Sequence, residues 1–82
     1  MKVTEVRITK YEVKNLKAFA SITLDDSFVV DGLRVVEGKK GLFVSMPSKR
    51  TNKGKFRNTA FPIKRDLAKE ISDAVLEAYK NS

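Results

Sequence analysis

Apolar positions recur along the chain with two different periods, and the change from one to the other organises it. From Val3 to Tyr11 the sequence VTEVRITKY interleaves β-branched and charged residues, the pattern of a half-buried strand with Val6 and Ile8 inward. From Asn15 to Asp25 the alternation is cleaner. Ala18, Ala20, Ile22 and Leu24 share one face, and Phe19, Ser21, Thr23 and Asp25 share the other. Asp25-Asp26-Ser27 supplies side chains that bond to nearby backbone, so a tight turn into a third strand is expected. That strand, Phe28 to Glu37, shifts its apolar phase from Phe28 and Val30 to Leu33 and Val35 across Asp31-Gly32, which predicts a bulge at Gly32. Gly38-Lys39-Lys40-Gly41 makes a second turn. Leu42, Val44 and Met46 then form the inner face of a fourth strand that ends at Pro47.

Residues 48–61, SKRTNKGKFRNTAF, have no period, and their Lys, Asn, Thr and Gly content reads as an exposed loop. A structureless stretch of that length is unusual in a compact domain and is commonly functional or disordered. Beyond Pro62, the residues Leu67, Ile71, Ala74, Val75 and Ala78 mark one face of an amphipathic helix over about 64–80, with Asp66 as a candidate cap. The pattern predicts one α+β domain over residues 1–82. It has a four- to five-stranded, mostly antiparallel sheet and one C-terminal helix. A single helix covers only one face of a sheet. The other face would present Phe19, Val29, Val36 and Phe43 beside Ser21, Thr23, Arg34 and Ser45, an apolar surface suited to a partner subunit or a ligand. A domain of 82 residues also buries only about 60–65% of the surface its unfolded chain exposes, so dimerisation through the sheet is the expected remedy.

Composition narrows the chemistry. The chain has no Cys and no His, which removes disulfides, zinc fingers, Ser-His-Asp or Cys-His pairs and imidazole acid–base catalysis. No nucleophile–base pair or metal-ligand spacing is present, so neither an enzyme nor a cofactor is expected, and no small-molecule substrate. The longest apolar runs, Phe28-Val29-Val30 and Leu42-Phe43-Val44, are far below the ~20 residues that span a bilayer. The N-terminus shows an alternating pattern in place of a signal peptide. A cytoplasmic protein without membrane association is therefore expected.

Charge is distributed unevenly. The net charge is +7, yet residues 47–65 alone contain seven cations and no acid: Lys49, Arg50, Lys53, Lys55, Arg57, Lys64 and Arg65. The rest of the chain is balanced. Segregation of one sign argues for an anionic partner. Around Phe56, these cations suit phosphates, the ring offers a stacking plane for an unpaired base, and Asn52, Asn58 and Thr59 add hydrogen bonds. A solvated loop that only aids solubility, and docking on an anionic protein or lipid surface, remain alternatives. Asn52-Lys53-Gly54-Lys55 reads as a turn and lacks the glycine spacing and following helix of a P-loop.

Three stretches carry a family resemblance. They are Ala20-Ser21-Ile22-Thr23-Leu24-Asp25 with Phe28-Val29-Val30, then Gly41-Leu42-Phe43-Val44-Ser45-Met46-Pro47-Ser48-Lys49-Arg50, then Phe56-Arg57 with Phe61-Pro62-Ile63. Together they resemble the stage V sporulation protein G family, the septation regulators of bacteria, over nearly the whole chain. The resemblance implies a cytoplasmic homodimer paired through its β-sheet that binds DNA and RNA and regulates gene expression, cell division and, in spore formers, sporulation. It carries nucleic-acid contacts onto Lys49, Arg50 and Arg57, and onto Lys64, Arg65 and Lys69 at the helix. The segment Ile63-Lys64-Arg65-Asp66 is more charged than the Ser/Thr-rich family version, which makes Arg50 the firmer assignment. The competing reading is a protein-interaction regulator whose basic loop docks on an acidic partner of the division or transcription machinery.

Overall fold

The computed structural model describes residues 1–82. Four strands, β1 (Val3–Val13), β2 (Leu16–Leu24), β3 (Phe28–Gly38) and β4 (Gly41–Ser45), form an antiparallel meander in that order. Each connection is short because its residues accept the turn geometry. Asp25 and Asp26 both have positive φ, and the Ser27 N–H donates to the Leu24 carbonyl at 2.9 Å, closing a type I′ turn. Lys39 and Lys40 link the opposed pair Gly38 and Gly41.

The bulge expected at Gly32 is present. Ala20 pairs with Leu33 and Ile22 with Val30, so Ser21 on β2 faces both Asp31 and Gly32 on β3. Gly32 has φ +84, and its N–H donates to Asp31 Oδ1 at 2.8 Å. The extra residue lets Val30, Leu33 and Val35 all turn toward the same face.

The helix α1 (Arg65–Lys80) lies across that face. Ala18, Ala20, Ile22, Leu24, Leu33, Val35, Ile71 and Val75 form the core, with Val6, Ile8, Leu42, Val44, Met46 and Leu67 packed around them half-buried. Small side chains at 18 and 20 allow close approach of the helix to the sheet. Only 9 of the 82 residues are buried, so few side chains carry the hydrophobic stabilisation. The helix begins with Lys64 as its N-cap, without a side-chain cap hydrogen bond. Asp66 therefore does not cap; it stands in the first turn, where its carboxylate favours the helix dipole. Glu70 instead ties the helix to the sheet, its Oε2 accepting from the Val3 N–H at 2.7 Å.

The main sheet has four strands, all antiparallel, as the pattern predicts. One expectation about the strands is corrected: segment 48–61 is not a structureless loop. Strands β5 (Ser48–Arg50) and β6 (Phe56–Asn58) pair as a separate two-stranded antiparallel ribbon. Apart from Ser48 both strands are exposed, so neither carries the dry-and-wet alternation by which a strand is recognised. Their pairing rests on backbone hydrogen bonds and on a tight tip. Thr51 N–H donates to the Lys55 carbonyl at 2.7 Å, and Gly54 N–H, at φ +79, to the Thr51 carbonyl at 3.0 Å.

The outer sheet face has no covering element. Thr9, Phe19, Arg34 and Ser45 line up across the four strands, and Val36 pairs with Phe43 beside them. Tyr11 adds its ring to this end of the sheet, 5.3 Å from that of Phe19. Val29 stands apart, paired with Thr23. No helix is long and apolar enough to cross a membrane.

Candidate nucleic-acid interface

The ribbon sorts its residues by register. Lys49 faces Arg57, whereas Ser48 faces Asn58 and Arg50 faces Phe56. Because neighbours along a strand point to opposite sides, Lys49 and Arg57 share one face, and Arg50, Phe56 and Asn58 share the other. Lys53 and Lys55 sit at the exposed tip.

The root of the ribbon is fixed to the sheet. The Pro47 carbonyl accepts both the N–H and the hydroxyl of Thr59, at 2.8 and 3.2 Å. Pro47 is buried, and a Cβ at Gly32 would lie 3.4 Å from its own Cβ. The bulge thus seats Pro47, and Pro47 holds Thr59.

An open depression of about 640 Å³ lies along the ribbon. Lys49, Arg50 and Arg57 give it three cations, and Thr51, Asn52, Asn58 and Thr59 give it hydrogen-bonding groups. Phe61 is its one hydrophobic residue, with 61% of its surface exposed. Phe61 also borders a second, apolar cavity of about 300 Å³ that reaches Ile22, Leu24, Phe28, Val30 and Ile71. It forms a wall between a wet site and a dry one.

Of the site residues expected from sequence, Lys49, Arg50 and Arg57 come together in this depression. Phe56 is 70% exposed and borders neither cavity. Lys64 lies at a different surface, beside Ile63, Asp66 and Glu70, and Arg65 opens the helix. Lys69 stands among Asp66, Glu70, Asp73 and Glu77, whose carboxylates offset its charge. Sequence reasoning misses Phe61. The one signal it offers there is an offset, two and four residues beyond Thr59 and Arg57.

Electrostatically the ribbon is uncompensated. The protein has one ion pair, Arg7 Nε to Glu5 Oε2 at 3.2 Å, on β1. No carboxylate lies within salt-bridge distance of Lys49, Arg50, Lys53, Lys55 or Arg57. These charges are free for an external anion.

Comparison with known proteins agrees with the resemblance carried by the sequence. The SpoVG family model matches residues 1–81. A Staphylococcus carnosus protein named "Putative septation protein SpoVG" is 58% identical over 80 residues, covering 96% of this chain and 75% of the relative. A protein of the same name from Staphylococcus saprophyticus is 54% identical over 83 residues, covering 100% of this chain and 82% of the relative. A third, from Staphylococcus aureus strain Newman, is 55% identical over 80 residues, covering 96% and 80%. With agreement over this length and at this identity, the chain belongs to the SpoVG family.

Proposed function

We propose that the protein is a non-catalytic regulator that binds DNA or RNA through the β5–β6 ribbon and acts in septation and gene expression, and in sporulation where the organism forms spores. The observation that carries this reading is the group of five ribbon cations, Lys49, Arg50, Lys53, Lys55 and Arg57, with no carboxylate partner. Paired charges would already be neutralised, whereas free ones gain by releasing counterions from a polyanion. The name borne by the relatives supports the septation part. In this reading Lys49, Arg50 and Arg57 make the principal phosphate contacts, and Lys53 and Lys55 supply diffuse charge at the tip. Lys64 and Arg65 lie apart from the depression, at the start of the helix, and would add a second positive patch. The protein works in the cytoplasm as a homodimer joined through its sheet. Support for the dimer comes from Phe19, Val36 and Phe43, which no other element of the chain covers.

The test is a binding titration of wild type and a Lys49→Thr, Arg50→Thr, Arg57→Thr variant at several salt concentrations. The variant should bind more weakly across sequences, with a salt slope shallower by about one unit for each phosphate that is no longer neutralised. A variant matching wild type at every salt concentration would sink the reading. Light scattering after size exclusion tests the dimer, and a monomeric mass would exclude it.

A second reading, docking of the ribbon on an acidic protein, is favoured by the apolar cavity beside it, which is bordered by exposed Phe28 and Phe61. Competition separates the two. A partner that stays bound to the ribbon in excess polynucleotide points to protein binding.

A further inference from the structure

The depression along the ribbon is concave and contains an aromatic ring, and neither property follows from charge alone. A duplex offers a protein mainly a convex wall of phosphates, with its base faces hidden in the stack. Against such a wall, a single ring beside the cations contributes little. An unpaired nucleotide presents a free base face as well as its phosphates.

We propose that this depression holds one unpaired nucleotide, its base stacked on Phe61 and its flanking phosphates on Lys49 and Arg57, so that the protein prefers single-stranded nucleic acid to a duplex. The proposal rests on the nucleic-acid reading above and assigns to Phe61 a role separate from that of Phe56.

Three observations carry it. The depression, about 640 Å³ and open to solvent, has room for one nucleotide. The backbone on either side of Phe61 is held beforehand. Phe61 follows Thr59, which makes two hydrogen bonds to the Pro47 carbonyl, and precedes Pro62, whose ring fixes its own φ. A backbone set in this way leaves less to be ordered when a base stacks on the ring. Finally, the hydroxyls of Thr51 and Thr59 are used within the protein, whereas the side-chain amides of Asn52 and Asn58 bond to no protein group. An amide offers a donor and an acceptor side by side, as the edge of an unpaired base requires.

Phe56 is placed differently. It shares a ribbon face with Arg50, opposite Lys49 and Arg57, and borders neither cavity.

The experiment compares one oligonucleotide, with 2-aminopurine replacing a central base, as a single strand and as a duplex. Proteins are wild type, Phe61→Leu, Phe61→Tyr and Phe56→Ala. Leucine preserves the contact with the apolar cavity, and thermal unfolding establishes that each variant folds. Wild type should bind the single strand more tightly and quench the 2-aminopurine. Phe61→Leu should weaken single-strand binding by roughly five- to hundred-fold and abolish the quench, while leaving duplex affinity unchanged. Phe61→Tyr keeps a ring and should retain both, and Phe56→Ala should behave as wild type. Equal single-strand binding and quench by Phe61→Leu and wild type would overturn the proposal, as would an equal weakening on strand and duplex. Salt-dependent binding that is indifferent to Phe61 removes the stacking site and leaves the general reading intact. No binding of either oligonucleotide by wild type removes both.

Discussion

Lys49 and Arg57 stand directly opposite one another on the same face of the β5–β6 ribbon. Like charges in opposed positions destabilise a strand pair, by an amount comparable to the ~0.2–1 kcal/mol that a favourable pair contributes. No carboxylate relieves them. The arrangement makes sense if the relief comes from an anion outside the chain.

Replacing Lys49 with Thr should therefore move stability and binding in opposite directions. Threonine favours strands and removes the repulsion. Amide exchange at Thr51 and Gly54, whose N–H groups close the ribbon tip, should slow in the free variant. A salt titration of oligonucleotide binding should show weaker affinity. Faster exchange at those amides would mean that Lys49 stabilises the ribbon, contrary to this account.

Gly32→Ala should damage the sheet and the ribbon together. The left-handed backbone at φ +84 costs an L-residue about 1–2 kcal/mol, and the added Cβ would sit 3.4 Å from that of Pro47. Denaturant unfolding should report the reduced stability. Relaxation of the strained bulge, against which Pro47 packs, should also loosen Thr59, seen as faster exchange of its amide. If that exchange is unchanged, the bulge does not position the ribbon.

Ile71→Ala should cost about 2–5 kcal/mol. Ile71 and Val75 are the only buried helix residues, and the other six members of the core lie on β2 and β3. In a domain this small such a cost is a large share of the total, so calorimetry should find a markedly lower midpoint. An exposed helix change such as Glu77→Gln should leave the midpoint nearly unchanged.

Trypsin should cut first in the ribbon, after one of Lys49, Arg50, Lys53, Lys55 or Arg57, all of them exposed. The core strands also carry basic residues but are held in a four-stranded ladder, where local opening is costlier. Mass spectrometry of early fragments will locate the cut, and a saturating oligonucleotide should slow it. First cleavage within β2 or β3 would show that the ribbon is not the loosest part of the fold.

What is legible in the sequence depends on whether an element has a dry side. Ala18, Ala20, Ile22 and Leu24 reveal β2 because every second residue is buried, and Leu67, Ile71 and Val75 reveal the helix for the same reason at its own period. The phase jump at Asp31-Gly32 discloses the bulge because both of its flanks are core residues. The ribbon gives no such signal, since its strands are wet on both faces and its register comes from backbone pairing. Its charge is plain from composition. The separation of Lys49 and Arg57 from Arg50 and Phe56 is not, because it depends on which residues pair. Phe61 enters the sequence reading only as part of Phe61-Pro62-Ile63; that it borders the depression depends on the fold, where Thr59 bonds back to Pro47, twelve residues away in the chain.

That latch also marks a place where the molecule can be re-equipped. None of the eight core residues lies between Pro47 and Thr59, yet these two residues are joined by a double hydrogen bond at the root of the ribbon. A hairpin of other chemistry grafted between them would meet the same anchor while leaving sheet and helix to assemble as before. Recognition could then be exchanged without rebuilding the scaffold, much as an interchangeable head is fitted to a fixed handle.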